Sequence, residues 1–265
     1  MLDKNYITEL SQLRNLKPYQ QEKHYIQTVI LVALSDYPLI FKGGTYLWFF
    51  HNLDRYSTDL DFTIQDLDNI INPEEFAKEM MTKVKTKLKL IDGIDCKCKL
   101  NTFRKGVGFS IKVSVEGPLY TSPRSLCYVD IDVSFREKVI LPTVSYSLDM
   151  PAYNFPVVII TGMNLQEVLS EKIRAILTRD SVRDVYDLWY LLDRKEIKLT
   201  KEVLDHVNQK LKYVNLSFDI NEFKKKLKEK EANFNNLNQI VFRKLEKFDY
   251  YYNSIIEHIN KKKKK

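Results

Sequence analysis

Asp59 and Asp61 stand two apart in "STDLDFTI" (57–64), and Asp130 and Asp132 stand two apart in "YVDIDVS" (128–134). Residues two apart on an extended strand point the same way. Each pair would therefore set two carboxylates on one face. Like charges that close repel each other, and a divalent cation removes that penalty. Mg²⁺ (or Mn²⁺) fits, because it takes hard oxygen ligands and is often held by a few carboxylates together with substrate phosphates. If the two strands are neighbours in one sheet, Asp132 joins Asp59 and Asp61 as a third metal carboxylate. Three such groups suit two-metal phosphoryl or nucleotidyl transfer, in which one ion activates a hydroxyl and the other steadies a triphosphate and the departing pyrophosphate.

The glycine pair Gly43-Gly44 precedes Asp59 in "FKGGTYLWFFHNLDRYSTDLDFTI" (41–64). A turn without side chains, opening a helix at Thr45, lets backbone N–H groups approach phosphate closely. Thr45 or Ser57 could add a hydroxyl and Arg55 a positive charge. A lone Asp-x-Asp is ordinarily a solvent-facing strand, and a lone Gly-Gly is ordinarily a turn. The order strand, Gly-Gly, helix, strand is far more specific than either.

The elements that must position these residues follow from hydrophobic periodicity. Residues 19–36 carry Tyr25, Ile26, Val29, Ile30, Val32 and Leu34 at helical spacing, which predicts a helix ending near "SDYP". "LIF" then reads as a short strand, and "TYLWFFHNL" as a largely buried helix. In "STDLDFTI", Leu60, Phe62 and Ile64 take one face of a strand, with Asp59, Asp61 and Thr63 on the other. Residues 74–91 form an amphipathic helix. Residues 107–117 and 126–137 are alternating strands, and "FPVVII" is another. The period changes at Gly162. "NLQEVLSEKIRAILTR" predicts a helix with Asn164 as N-cap and Glu167 in a capping-box position. "RDVYDLWYLLDR" predicts a second, and further helices fit 200–212, 219–232 and 236–260. Residues 1–160 thus mix strands and helices, whereas residues 161–265 are helical with a basic tail.

Composition narrows the class. With 265 residues, 44% of them hydrophobic and 29% charged, the chain can bury a core and keep an ordinary soluble surface. No apolar run reaches the roughly 18–20 residues of a membrane helix, and the N-terminus lacks the order of a signal peptide; a cytoplasmic location is expected. Cys96, Cys98 and Cys127 lack zinc-site spacing and read as three reduced thiols. The net charge of +7 includes the five lysines of "KKKKK" (261–265); without them +2 remains, too little to argue for nucleic acid by itself. "KVKTKLKL" (83–90) and "KKKLKEK" (224–230) read as exposed helix faces.

At this point the sequence resembles the nucleotidyltransferase superfamily, and within it the AbiEii/AbiGii toxin family. "KGGTYL" with "DRYSTDLDF" resembles that family's first motif. "VDIDVSFRE" resembles its second, with Asp130 where the family usually has lysine and Asp132 at the aspartate. "LQEVLSEKIRAILTR" resembles the third, through Glu167 and Lys172, and "RDVYDLWYLL" the fourth, through Arg183, Asp184 and Asp187. The resemblance covers about residues 38–195. It implies an α+β fold: a minimal nucleotidyltransferase-like mixed sheet with flanking helices, followed by a C-terminal helical bundle. It also implies a transfer from an NTP to an acceptor hydroxyl, with tRNA 3′ ends as one acceptor, and a toxin restrained by a cognate antitoxin. Asp59, Asp61 and Asp132 would hold the metal, with Asp132 also a base toward the acceptor. Gly43, Gly44, Thr45, Arg55, Ser57 and Asp184 would bind the nucleotide, and Lys172 would steady its γ-phosphate. Asp130 in place of the lysine keeps a second reading open, a noncatalytic member that binds a nucleotide or a partner protein.

Overall fold

The structure, a computed structural model, describes residues 2–64, 72–104, 106–136 and 138–261. Lys262–Lys265 of the basic tail lie outside the described residues, as does Glu137 at the end of the expected strand 126–137. The chain forms two units: residues 1–50, 56–138 and 143–162 in the first, and residues 51–55, 139–142 and 163–265 in the second.

The first unit opens with helices α1 (Lys4–Leu13) and α2 (Pro18–Leu34). Pro18 starts α2 where its missing N–H costs nothing. Strand β1 (Leu39–Lys42) runs directly into α3 (Gly43–His51), and β2 (Leu60–Ile64) returns antiparallel beside β1. Helix α4 (Pro73–Asp92) is capped at its start by the Asn72 side chain and ended by Gly93 in the left-handed conformation. Strands β3 (Cys96–Arg104), β4 (Gly108–Val115), β5 (Cys127–Ser134), β6 (Val144–Leu148) and β7 (Val158–Gly162) complete a seven-stranded sheet of order β3-β4-β5-β2-β1-β7-β6. The sheet is mixed: β2–β5 and β1–β7 are parallel, and the other neighbours are antiparallel.

Alternation divides the two faces. Ile111, Val113 and Val115 of β4 and Val129, Ile131 and Val133 of β5 are buried, on the side where α2 and α4 pack. Burying each of these side chains stabilises the layer by about 1.5–3 kcal/mol. Their alternates Ser110, Lys112, Ser114, Tyr128, Asp130 and Asp132 take the other face.

The second unit is built on α5 (Leu165–Thr178), α6 (Val182–Trp189), α7 (Lys201–Lys212), α8 (Ile220–Glu229) and α9 (Phe248–Lys261). Asn164 caps α5 as the sequence predicts, and α6 continues into a π-helical turn over Tyr190–Arg194.

Some expectations need correcting. The single helix expected over 236–260 is instead a 3-10 segment, Lys230–Gln239, followed by an irregular stretch and then α9. The segment "NFNNLNQ" explains this, because asparagine side chains compete for backbone hydrogen bonds and weaken an α-helix. Asp59 lies just before β2 and not within it. Glu167 does not close a capping box; its carboxylate is used elsewhere, as described below. Helix α1 and strands β3 and β6 are additions that the periodicity does not reveal. Among the described residues the cysteines are free thiols, and no helix is long and apolar enough to cross a membrane.

Candidate active site

In the first unit the site begins at the β1–α3 junction. Gly43 has φ +77°, and a Cβ built there would fall on the Asp61 carboxylate. A bare backbone is therefore needed on two counts, conformation and space. The hydroxyl of Thr45, on the first turn of α3, donates to the carbonyl of Asp59. This fixes the approach to β2 against the glycine turn. Ser57 is buried, and its carbonyl accepts from Gln27 Nε2 at 3.3 Å.

The parallel pairing of β2 with β5 sets Asp61 directly opposite Asp132. Antiparallel pairing of β4 with β5 sets Ser110 on the other side of Asp132. Burial pushes the Asp132 carboxyl up from the usual carboxylate range. A hydrogen bond from Ser110 pulls it down, while the charges of Asp59 and Asp130 push it further up. Asp130 Oδ1 is itself buried and meets no hydrogen-bond donor among the described residues. Gly43, Thr45, Asp59, Asp61 and Asp132 thus belong to one neighbourhood.

The donors there are all hard oxygens, and a carboxylate oxygen is left unsatisfied beside them. That chemistry fits a magnesium ion. No group of three acidic, His or Cys side chains converges as a ready-made ligand cage among the described residues. Magnesium does not require one, because it is commonly held by one or two carboxylates with phosphate oxygens and water completing the shell.

In the second unit lies a buried ionic cluster. Arg55 Nε and Nη2 reach Asp187 Oδ1 and Oδ2, each at 2.6 Å. Lys172 Nζ bridges the two acids, at 2.6 Å from Asp187 Oδ2 and 2.9 Å from Asp184 Oδ1. Arg179 holds Asp184 through two bonds of 2.7 Å. Burial favours the neutral form of both acids, but the cations outweigh it: Lys172 and Arg179 hold Asp184 well below the carboxylate range, and Arg55 and Lys172 lower Asp187. The buried quartet Arg55, Lys172, Asp184 and Asp187 is charge-balanced, and Arg179 is the remaining cation, with its side chain 59% exposed.

Glu167 anchors a second knot. Its carboxylate accepts the backbone N–H groups of Ile140 and Leu141 and the ammonium of Lys210 at 2.9 Å. Glu171, one turn further along α5, also meets Lys210, at 3.3 Å.

The sequence-predicted residues therefore fall into two groups. Gly43, Gly44, Thr45, Ser57, Asp59, Asp61 and Asp132 lie in the first unit, and Arg55, Lys172 and Asp184 in the second. Sequence reasoning assigns no role to Ser110 or Lys210. Nothing local marks either of them: each acquires its partner only through the pairing of distant segments.

Residues 28–254 match the family model described as "Nucleotidyl transferase AbiEii toxin, Type IV TA system". Three solved structures share the fold. A candidate nucleotidyltransferase from H. pylori is 16% identical, with a TM-score of 0.60 over 92% of this chain and 96% of that one. JHP933 from Helicobacter pylori is 16% identical, with a TM-score of 0.60 over 92% of each chain. MenT4, a nucleotidyltransferase toxin from Mycobacterium tuberculosis H37Rv, is 17% identical, with a TM-score of 0.52 over 89% of this chain and 99% of that one. No curated protein matches the chain.

Proposed function

Because the chain belongs to the AbiEii family of nucleotidyl transferase toxins of type IV toxin–antitoxin systems, we propose that it moves a nucleotide from an NTP to an acceptor hydroxyl with Mg²⁺ at Asp59, Asp61 and Asp132. The reading extends to an RNA acceptor, tRNA 3′ ends among them, to a cognate antitoxin protein, and to a cytoplasmic site of action. The observation that carries the assignment is the register of β2 on β5, with Asp61 opposite Asp132 beside a glycine that has no room for a side chain.

The chemistry follows from these groups. The ion, when bound, would lower the pKa of the acceptor hydroxyl and offset charge on the leaving pyrophosphate. Backbone N–H groups at Gly43 and Gly44 and the hydroxyl of Ser57 bind phosphate oxygens, favoured by the positive end of α3. Asp132, with its carboxyl raised, is suited to take the proton of the acceptor hydroxyl. Thr45 acts by holding the Asp59 segment in place. Lys172, the residue that the family resemblance assigns to the γ-phosphate, has its ammonium held by Asp184 and Asp187 within the helical unit.

The decisive experiment incubates the protein with each α-labelled NTP and total RNA in the presence of Mg²⁺. Label should appear on an RNA species and pyrophosphate should be released. Asp61→Ala and Asp132→Ala should each lower transfer by at least ~100-fold without unfolding. Full transfer by either variant would overturn the metal assignment.

A further inference from the structure

The outer part of the sheet carries a row of cations on the same face as the carboxylates. Lys99 of β3 pairs directly with Lys112 of β4, and Lys97 pairs with Ser114. Lys112 in turn lies opposite Asp130, and Ser114 opposite Tyr128. The buried alternates Val113, Val115 and Val129 fix which way this face points. Lys97, Lys99 and Tyr128 are exposed, with Tyr128 at 42%. Arg104, at the far end of β3, is exposed as well.

Two like charges directly opposite on paired strands destabilise a sheet. Lys99 and Lys112 are such a pair, and no carboxylate forms an ion pair with either of them among the described residues. Lys112 Nζ lies instead over the Tyr128 ring, 5.7 Å from its centre. Lys97 and Arg104 also lack an ion pair among the described residues. The helices differ: Lys83 pairs with Asp36 at 2.7 Å, Lys89 with Asp95 at 2.7 Å, and Lys78 with Glu74 at 3.2 Å. On α8, Lys226 and Lys228 are likewise paired. Those five helical lysines are matched by acids, though Lys85 and Lys87 of α4 form no ion pair among the described residues; on the sheet face Lys112 has Asp130 opposite it, while Lys97, Lys99 and Arg104 have no acid opposite them on β4.

We infer that this face of β3, β4 and β5 binds the phosphate backbone of a single-stranded RNA acceptor, with Lys97, Lys99, Lys112 and Arg104 on phosphates and Tyr128 stacking on a base. The inference rests on the proposed nucleotidyl transfer to RNA and names the surface that presents the acceptor. Side chains two apart on β3 are about 7 Å apart, a step comparable to that of an extended nucleic-acid strand. Basic groups that follow the backbone, joined to an aromatic platform, are the usual means of holding single strands without reading sequence. Asp130 and Asp132 on β5 continue the same face, so an RNA lying along β3 would pass the reacting carboxylates two strands away, at about 10 Å. Asp130 opposite Lys112 offsets part of the Lys99–Lys112 repulsion, whereas Lys97, Lys99 and Arg104 face Ser114, Lys112 and Gly108 across β4 and have no acid opposite them.

The test measures fluorescence anisotropy of the full-length protein with a short labelled single-stranded RNA over a salt series. Lys97→Gln with Lys99→Gln should weaken binding by about 10-fold or more and reduce the slope of log K against log salt by about 1.4, near 0.7 for each phosphate no longer neutralised. Tyr128→Ala should weaken binding by roughly 5-fold or more with the slope unchanged. Lys78→Gln with Lys89→Gln, the same charge loss on α4, should do neither. NTP binding, followed by calorimetry, should be equal in all of these variants. Equal RNA affinity for the β3 and α4 variants would overturn the inference even if nucleotide transfer persists. Tighter binding of poly-L-glutamate than of the RNA at matched charge would overturn it in favour of an acidic protein. Loss of nucleotide transfer by the unmodified protein would instead count against the proposed activity, which separates the two failures.

Discussion

At Gly43 two demands coincide: a backbone with positive φ, and the Asp61 carboxylate where a side chain would begin. Gly43→Ala is expected to cost on the order of 1–2 kcal/mol from the left-handed conformation alone. It should also displace Asp61, so kcat should fall more than the melting temperature suggests; steady-state kinetics alongside thermal melts would show this. Asp132 gives the opposite trade. Its carboxyl is raised, by burial first and then by Asp59 and Asp130. A raised carboxylate stabilises the fold while protonated, and that contribution is lost as pH rises through the folded value. In its charged form Asp132 therefore burdens the metal-free protein. Asp132→Asn should raise the metal-free melting temperature, by about 1 °C or more, while transfer is lost. A fall in melting temperature would mean that the charge is already compensated without the ion.

The elements show what local pattern can and cannot reveal. Period-2 alternation in "LDFTI" and "CYVDIDVS" is enough to set Asp61, Asp130 and Asp132 on the face away from the buried apolar alternates, whereas Asp59 lies just before β2 and is placed by the approach to the strand. The Gly-Gly turn and the Asn164 cap are equally legible, since each satisfies backbone geometry within a few residues. Register is not legible: that Asp61 meets Asp132, and Ser110 meets Asp132, depends on which strands become neighbours. The same holds for Arg55 and Asp187, which are 132 residues apart. Glu167 escapes local reading for a related reason, because a capping role is the nearby solution and Lys210 with the 139–142 segment is the distant one. The fourth-motif helix α6 carries the testable consequence. Asp187→Ala leaves Arg55 and Lys172 buried beside one fewer anion, and breaking such a pair costs about 3–5 kcal/mol. Urea unfolding should register a loss of that order, and a loss below about 1 kcal/mol would mean that the cluster relaxes into water.

For the molecule as a whole, acid is the informative perturbation. Asp184 and Asp187 are held below the ordinary value of 3.8, against the effect of burial, by Lys172, Arg179 and Arg55. Depressed carboxylates contribute stability that is complete above the unfolded value and lost as pH falls through the folded ones. The helical unit should therefore keep this contribution down to about pH 4 and lose it only below. Melting curves followed by circular dichroism should show a shallower acid limb for Asp187→Asn than for the parent, with the part due to Asp184 retained. An identical acid profile in the two proteins would remove the cluster as the cause.

The helical unit also takes in residues 51–55 and 139–142, and through them Arg55 and the N–H groups that Glu167 accepts. Gene dissection at the sequence's own change of period would amputate both. A fragment expressed from residue 163 onward would be born with Asp187 missing its guanidinium and Glu167 missing two donors. It should come out of the cell insoluble or molten, and co-expressing the first half as a separate polypeptide should rescue it.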